Sequence, residues 1–187
     1  MASATTVPAR ATYADLEALP PTVKGEIIDG VLHTQPRPVY RHSRANTTIA
    51  GDLEPSFGRG HGGPGGWVIL VEPGIEVPGS PEFSPDLAGW RRERLSPPSG
   101  NDRITVVPDW VCEVLSPSNR GYDVRVKRPF YARIGVAWLW FVDPEARTLV
   151  VSQLSDGRWL ETLVAGDTDR VRAAPFDALE LALADWW

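Results

Sequence analysis

Residues 108–115 read PDWVCEVL, an apolar run of strand length that contains one acid in its interior, Glu113. An ionised Glu in such a strand is unfavourable unless it is paired with a cation or bound to a metal. Two interpretations remain open: Glu113 faces solvent or pairs with an Arg, or it belongs to a functional site. The stretch therefore predicts a buried strand that carries a candidate functional carboxylate.

The segments around this strand predict a sheet of mixed direction. A loop at 116–121 precedes a helix that reaches about Ile134 and is ended by Gly135. The fully apolar run 138–142 is typical of a central strand, and turns at Asp143-Pro144 and Asp156-Gly157 indicate a C-terminal β-meander. Further strands are predicted upstream at 67–71, 75–77, 86–90 and 104–107. Strands on both sides of one long helix indicate an α/β fold.

The N-terminal part predicts a short helix and a hairpin. Residues 1–11 are small and polar, and we expect a disordered tail there, followed by a single domain over 12–187. Thr12 begins a capping-box-like helix start, which Pro20-Pro21 ends. Two apolar runs around Asp29-Gly30 predict a β-hairpin, and residues 41–57 have the apolar spacing of a second helix.

The charge of the chain limits its partners. The net charge is −5, which does not by itself indicate nucleic-acid binding. The segment 116–134 nevertheless contains five cations and one acid, Asp123, so a local basic patch remains. The single cysteine, Cys112, excludes an intrachain disulfide and a multi-Cys zinc site.

We expect a cytoplasmic protein without a membrane segment. No apolar run approaches the roughly 18 residues of a membrane span, and residues 1–11 lack the apolar region of a signal peptide. Eight Trp residues and the apolar end Trp186-Trp187 are compatible with a homodimer, although a buried core explains them equally well.

Two further residues are candidates for chemistry. Asp86 lies in SPDLA at 84–88, at the start of a predicted strand. Lys127 is one of only two Lys residues, against 17 Arg. A Lys side chain is slim and carries a compact charge, so it suits a small pocket beside a metal-bound water. The alternative is a surface Lys in the first turn of a helix, where it would contribute little packing.

These residues resemble the PD-(D/E)xK nuclease superfamily, and the chain as a whole resembles its Uma-two family of restriction-endonuclease-like proteins. In the superfamily the Lys usually stands two positions after the acid. That position is Leu115 here, so the Lys would come from the following helix. The likeness rests on ordered motifs across about 12–154: YADL at 13–16, EIIDG at 26–30, SPDL at 84–87, PDWVCEVLSPS at 108–118, and WFVDP at 140–144.

The resemblance implies a restriction-endonuclease-like mixed sheet flanked by helices, and a metal-dependent endonuclease that cuts DNA. It implies Asp86 and Glu113 as ligands of Mg²⁺ or Mn²⁺, hard cations that prefer oxygen, together with the backbone carbonyl near Val114. It also implies Lys127 as the catalytic cation and Glu26 as a further acid at the site. Arginines are expected to hold the nucleic-acid backbone: Arg91, Arg92, Arg94, Arg120, Arg125 and Arg128.

Several features depart from the family pattern. Pro129 follows Lys127 closely and could make the helix begin near Val126. Trp138 stands where the family often has Glu, and the loop at 58–66 is long.

His42 matches a His common in the family, but a surface His at a helix start is the alternative. An inactive nuclease-fold interaction or scaffold protein, or an unrelated hydrolase with two carboxylates, remains an alternative function.

Overall fold

The computed structural model describes residues 10–96 and 103–187. Residues 1–9 of the predicted tail therefore lie outside the described residues, and so do residues 97–102. The α-helices are α1 (Tyr13–Glu17), α2 (Tyr40–Leu53), α3 (Arg120–Tyr122) and α4 (Arg128–Ile134). Glu54–Gly58 and Asp123–Lys127 are π-helical turns, and Leu183–Trp186 is a 3₁₀ turn.

Twelve strands are present in the described residues. The first six are β1 (Val23–Ile28), β2 (Val31–Pro36), β3 (Trp67–Val71), β4 (Ile75–Val77), β5 (Ser80–Phe83) and β6 (Leu87–Arg91). The others are β7 (Trp110–Val114), β8 (Trp138–Asp143), β9 (Thr148–Ser155), β10 (Arg158–Gly166), β11 (Arg170–Val171) and β12 (Leu181–Ala182).

The main sheet has six strands in the order β10-β9-β8-β7-β6-β3. β7 and β8 are parallel, and the other neighbours are antiparallel, so the sheet is mixed as predicted. The parallel pair is joined by the helical segment from α3 to α4, because parallel strands need a long crossover. β8, β9 and β10 form the predicted meander. The fold is an α/β fold with a mixed sheet flanked by helices, as predicted.

Both faces of this sheet are covered, which decides where each β7 side chain lies. Trp110, Cys112 and Val114 join the core under α2, whereas Val111 joins the core under α4. Because side chains alternate along a strand, Glu113 lies on the same face as Val111, beneath α4. Glu113 is 1% exposed there, so its side chain is turned away from solvent.

A second sheet, in the order β2-β1-β5-β4, carries the predicted N-terminal hairpin. Asp29 and Gly30 both have positive φ, 56° and 79°, which is the backbone of a type I′ turn. The turn is attached to the rest of the sheet because the Asp29 amide donates to Ser80 Oγ at 3.0 Å. The hairpin thus fixes the position of Glu26 in β1.

The predicted strands differ from the structure at residues 104–107, at β5, and at β11 and β12, which were not predicted. Of residues 104–107, only Ile104 pairs, in a single bridge with Ile75, so the strand predicted there is wrong. The Val106 carbonyl instead accepts the Trp90 indole N–H at 2.8 Å. β5 was not predicted, because Pro81 within it cannot donate to a ladder and masks the pattern.

None of the helices in 10–96 and 103–187 has the length and apolar character needed to cross a membrane.

Candidate active site

A cavity of about 120 Å³ lies between the hairpin, the start of β6, the end of β7 and the helical crossover. Its lining includes all four residues predicted for the site, which come from four separate elements: Glu26, Asp86, Glu113 and Lys127. Their side chains are nearly removed from solvent, with exposures of 1–5%. The structure therefore brings the predicted residues together in one pocket.

Asp86 lies directly before β6 and is held through one oxygen. Its Oδ2 accepts the Val114 amide N–H at 2.8 Å and lies 3.0 Å from His42 Nε2. Burial alone would raise the pKa of Asp86, but the hydrogen bond and charge of His42 together with the charges of Lys127 and Lys24 outweigh burial, and the pKa lies below its ordinary value. Among the described residues, nothing donates a hydrogen bond to Asp86 Oδ1.

Glu113 is held in the same way from the α4 side. Its Oε1 lies 2.8 Å from Lys127 Nζ and accepts a hydrogen bond from the Tyr131 hydroxyl. The charged partner is thus Lys127 and not an Arg, and the solvent-facing interpretation of Glu113 is wrong. Burial, followed by the charges of nearby acids, raises the pKa of Glu113 well above its ordinary value, although Lys127 opposes this.

Lys127 joins the six-stranded sheet and the four-stranded sheet at the site. Its ammonium lies 3.4 Å from Glu26 Oε1 and donates to the Ser84 carbonyl at 3.2 Å, and the Ser84 amide donates to Glu26 Oε2 at 3.2 Å. Burial would lower the pKa of Lys127, but Glu113 and Glu26 outweigh it and raise the pKa. Lys127 is only 3% exposed, so its interpretation as a surface residue is wrong.

Pro129 does not end or delay the helix. Helical structure continues from Arg120 to Ile134, where Gly135 follows with φ 86°. A proline has no N–H and collides with the carbonyl four residues earlier. The π-helical turn at Asp123–Lys127, directly before α4, widens the helix there and accommodates Pro129. Lys127 therefore lies in a continuous helical segment and points into the pocket.

Asp123 is a site residue to which the sequence analysis gave no role. It is 1% exposed, and its Oδ1 lies 4.0 Å from Lys127 Nζ, one helical turn away. Its Oδ2 is buried without a hydrogen bond in the described part of the chain. Burial raises the pKa of Asp123 to about 7, with Asp86 and Glu26 adding to the effect and Lys127 opposing it. The four-residue spacing from Lys127 was the signal that could have identified it.

His42 is also part of the site, contrary to the surface interpretation. It is 5% exposed and lies on the buried side of α2, which it shares with Ala45, Asn46, Ile49 and Leu53. This stripe extends the apolar spacing of Ile49 and Leu53 toward the N-terminus of the helix. The apolar periodicity of α2 could therefore have predicted that His42 is buried, although it could not have identified Asp86 as its partner.

The donor set fits a hard divalent cation. Asp86 and Glu113 each have one oxygen held by two donors and a second oxygen that accepts no hydrogen bond from the described residues. The Val114 carbonyl accepts the Asn119 side-chain amide at 3.3 Å and retains one lone pair. No group of three or more His, Cys, Asp and Glu in 10–96 and 103–187 is arranged to hold a metal. Waters or substrate oxygens would thus complete the shell, as is usual for Mg²⁺.

Most of the arginines proposed to hold a nucleic-acid backbone make contacts within the protein. Arg94 pairs with Asp109, and Arg120 pairs with Asp143. Arg92 donates to the Gly58 and Trp67 carbonyls, Arg91 stacks over the Trp67 ring, and Arg128 lies 3.5 Å from Glu161. Several of these pairs are at the surface, where such contacts contribute little free energy. These arginines can therefore exchange them for contacts with a phosphate.

Comparison with known proteins gives one family and a similar fold. Residues 10–184 match the model of the family Uma2, described as "Putative restriction endonuclease". A crystal structure of "a putative nuclease belonging to DUF820" from Anabaena variabilis superposes with a TM-score of 0.66. It is 22% identical and covers 87% of this chain and 89% of its own, and this likeness shows a common fold. A search of curated proteins found no match.

Proposed function

The chain belongs to the Uma2 family of "Putative restriction endonuclease" proteins, and from this membership we propose that it is a divalent-metal-dependent endonuclease that hydrolyses phosphodiester bonds, with DNA as substrate. The observation that carries the proposal is the convergence of Glu26, Asp86, Glu113 and Lys127 in one buried pocket. Four elements each contribute one of these charged side chains. A structural ion pair would need only two of them.

The free oxygens of Asp86 and Glu113, with the Val114 carbonyl, would hold Mg²⁺ or Mn²⁺. A cation bound there supplies two kinds of chemistry: it polarises the scissile phosphate and lowers the pKa of the attacking water. The two carboxylates are prepared for this role because their other oxygens are already fixed by protein donors. Little reorganisation of either side chain is then required on binding.

Lys127 would act on the reacting phosphate. Its ammonium is fixed beside Glu113, so in the proposed reaction it would stand next to the negative charge that builds up on the phosphoryl oxygens. A fixed cation in a site that excludes water stabilises such charge strongly. Glu26, at 3.4 Å from the ammonium and bonded to the Ser84 amide, would position Lys127. It would also compete with the phosphate for the ammonium.

A cleavage assay tests the proposal. Single-stranded, double-stranded and branched DNA would be incubated with the protein in Mg²⁺, Mn²⁺ or EDTA. We expect cleavage that requires the metal and is lost in Asp86→Ala. Asp177→Ala, which changes an exposed acid away from the pocket, should cleave like the parent. Cleavage that persists in Asp86→Ala would contradict the proposed site. Binding of DNA without any cleavage would favour an inactive interaction or scaffold protein with this fold.

A further inference from the structure

His42 makes a contact that the proposed chemistry does not yet use. It is the third residue of α2, and its ring is placed by the packing of that helix. Ala45, Ile49 and Leu53, on the same side of α2, are completely buried against the main sheet. Because these apolar side chains anchor the helix, the His42 ring cannot move without disturbing the core.

The hydrogen bond from His42 fixes the orientation of Asp86. Nε2 lies 3.0 Å from Asp86 Oδ2, the oxygen that also accepts the Val114 amide at 2.8 Å. An ionised carboxylate only accepts hydrogen bonds, so His42 Nε2 must carry a proton and donate it. One donor comes from the sheet and the other from the helix, and together they leave Oδ1 as the free oxygen.

The other ring nitrogen shows that this bond is not part of a general structural network. His42 Nδ1 is buried and has no hydrogen-bond partner among the described residues. An unsatisfied buried polar atom destabilises the folded state. A histidine selected only for stability at this position would use both nitrogens or be replaced by an apolar residue. Among the described residues, the hydrogen bond of the His42 ring goes to Asp86.

We propose that His42 is a positioning residue that holds Asp86 with Oδ1 directed at the cation. The inference rests on the proposed function, in which Asp86 is a metal ligand. It assigns His42 no contact with the metal or the substrate. Partners that orient a ligating side chain in this way typically change metal affinity or activity by roughly 10–100-fold when they are removed.

The test compares five variants with the parent protein by isothermal titration with Mn²⁺ alone, one of them Asp86→Ala, which removes a proposed ligand. In His42→Gln the side-chain amide nitrogen can take the place of Nε2, whereas in His42→Asn the shorter side chain cannot reach Asp86. His42→Leu removes the polar group, and His61→Leu is the matched control at an exposed histidine. Urea unfolding of each metal-free variant gives its stability separately.

We expect Mn²⁺ binding that is roughly 10–100-fold weaker in His42→Asn and His42→Leu, and near the parent value in His42→Gln and His61→Leu. Should His42→Leu fail to fold, the contrast between Gln and Asn still decides the question. Equal affinity in Asn and Gln variants would overturn the role of His42. If the parent binds Mn²⁺ no better than Asp86→Ala does, the proposed metal site itself fails, and the inference fails with it.

Discussion

Replacing Asp123 by Asn should make the metal-free protein more stable at high pH. Burial, aided by Asp86 and Glu26, raises the pKa of Asp123 from an ordinary 3.8 to about 7 in the folded protein. A carboxyl group of this kind stabilises the folded state fully below the unfolded pKa. That contribution is lost as the pH rises through the folded pKa. An Asn side chain has the same shape and cannot ionise, so it avoids this loss.

The size of the effect follows from the two pKa values. Well above both of them, the difference of about three units corresponds to roughly 4 kcal/mol of lost stability in the parent. Part of this is already lost at pH 5, which leaves about 2–3 kcal/mol to be lost between pH 5 and pH 8. In a protein of this length, that difference shifts Tm by roughly 4–12 °C.

Urea unfolding followed by Trp fluorescence, in EDTA at pH 5 and pH 8, measures this directly, since the chain has eight Trp residues. The stability of Asp123→Asn relative to the parent should increase between the two pH values. Asp177→Asn, at an exposed acid, should give the same difference at both. The reasoning is refuted if the advantage of Asp123→Asn does not depend on pH, or if this variant is the less stable protein at pH 8.

Two other results are expected. Lys127→Ala should lower the free energy of unfolding by roughly 3–5 kcal/mol, because buried carboxyl groups lose their cation. The same variant should reduce cleavage by roughly 10²-fold or more. Lys127→Arg should restore little of the cleavage, since the guanidinium is broader than an ammonium. Unchanged cleavage kinetics in Lys127→Ala would remove its catalytic role. In thermal melts, Mn²⁺ at 100 times its Kd should stabilise the parent by about 2.7 kcal/mol, or roughly 5–11 °C. This increase should vanish in Asp86→Ala, and equal increases in both proteins would place the metal elsewhere.

The features that the sequence predicted best depend on local patterns. The continuous apolar character of Trp110–Val114 and Trp138–Val142 indicated buried strands, and the pair Asp29-Gly30 indicated the hairpin. The family motifs then indicated which carboxylates would meet. The homodimer and the cytoplasmic location remain predictions, as do the metal and the role of each site residue.

What the sequence did not predict depends on contacts between distant segments. The burial of His42 requires an acceptor, and that acceptor is Asp86, 44 residues later. The burial of Lys127 requires Glu26, on a different sheet. The role of Asp123 depends on the π-helical turn before Pro129, which has no simple pattern of residues. For His42 and Lys127, a polar residue with an ordinary surface pattern is buried because a distant segment supplies its partner.

The hairpin that carries Glu26 is joined to α4 by the pair Asp29–Arg133, which are 104 residues apart in the chain. At typical rates of protein synthesis, a ribosome needs roughly 5–20 seconds to add that many residues. During this interval the nascent chain has Glu26 but neither Lys127 nor the helix that holds it. A ribosome that stalls, or a message that is truncated, before this point releases a chain without a complete site. Under the proposed function, a cell that makes this protein would thus be exposed to nuclease activity only after most of the chain has been translated.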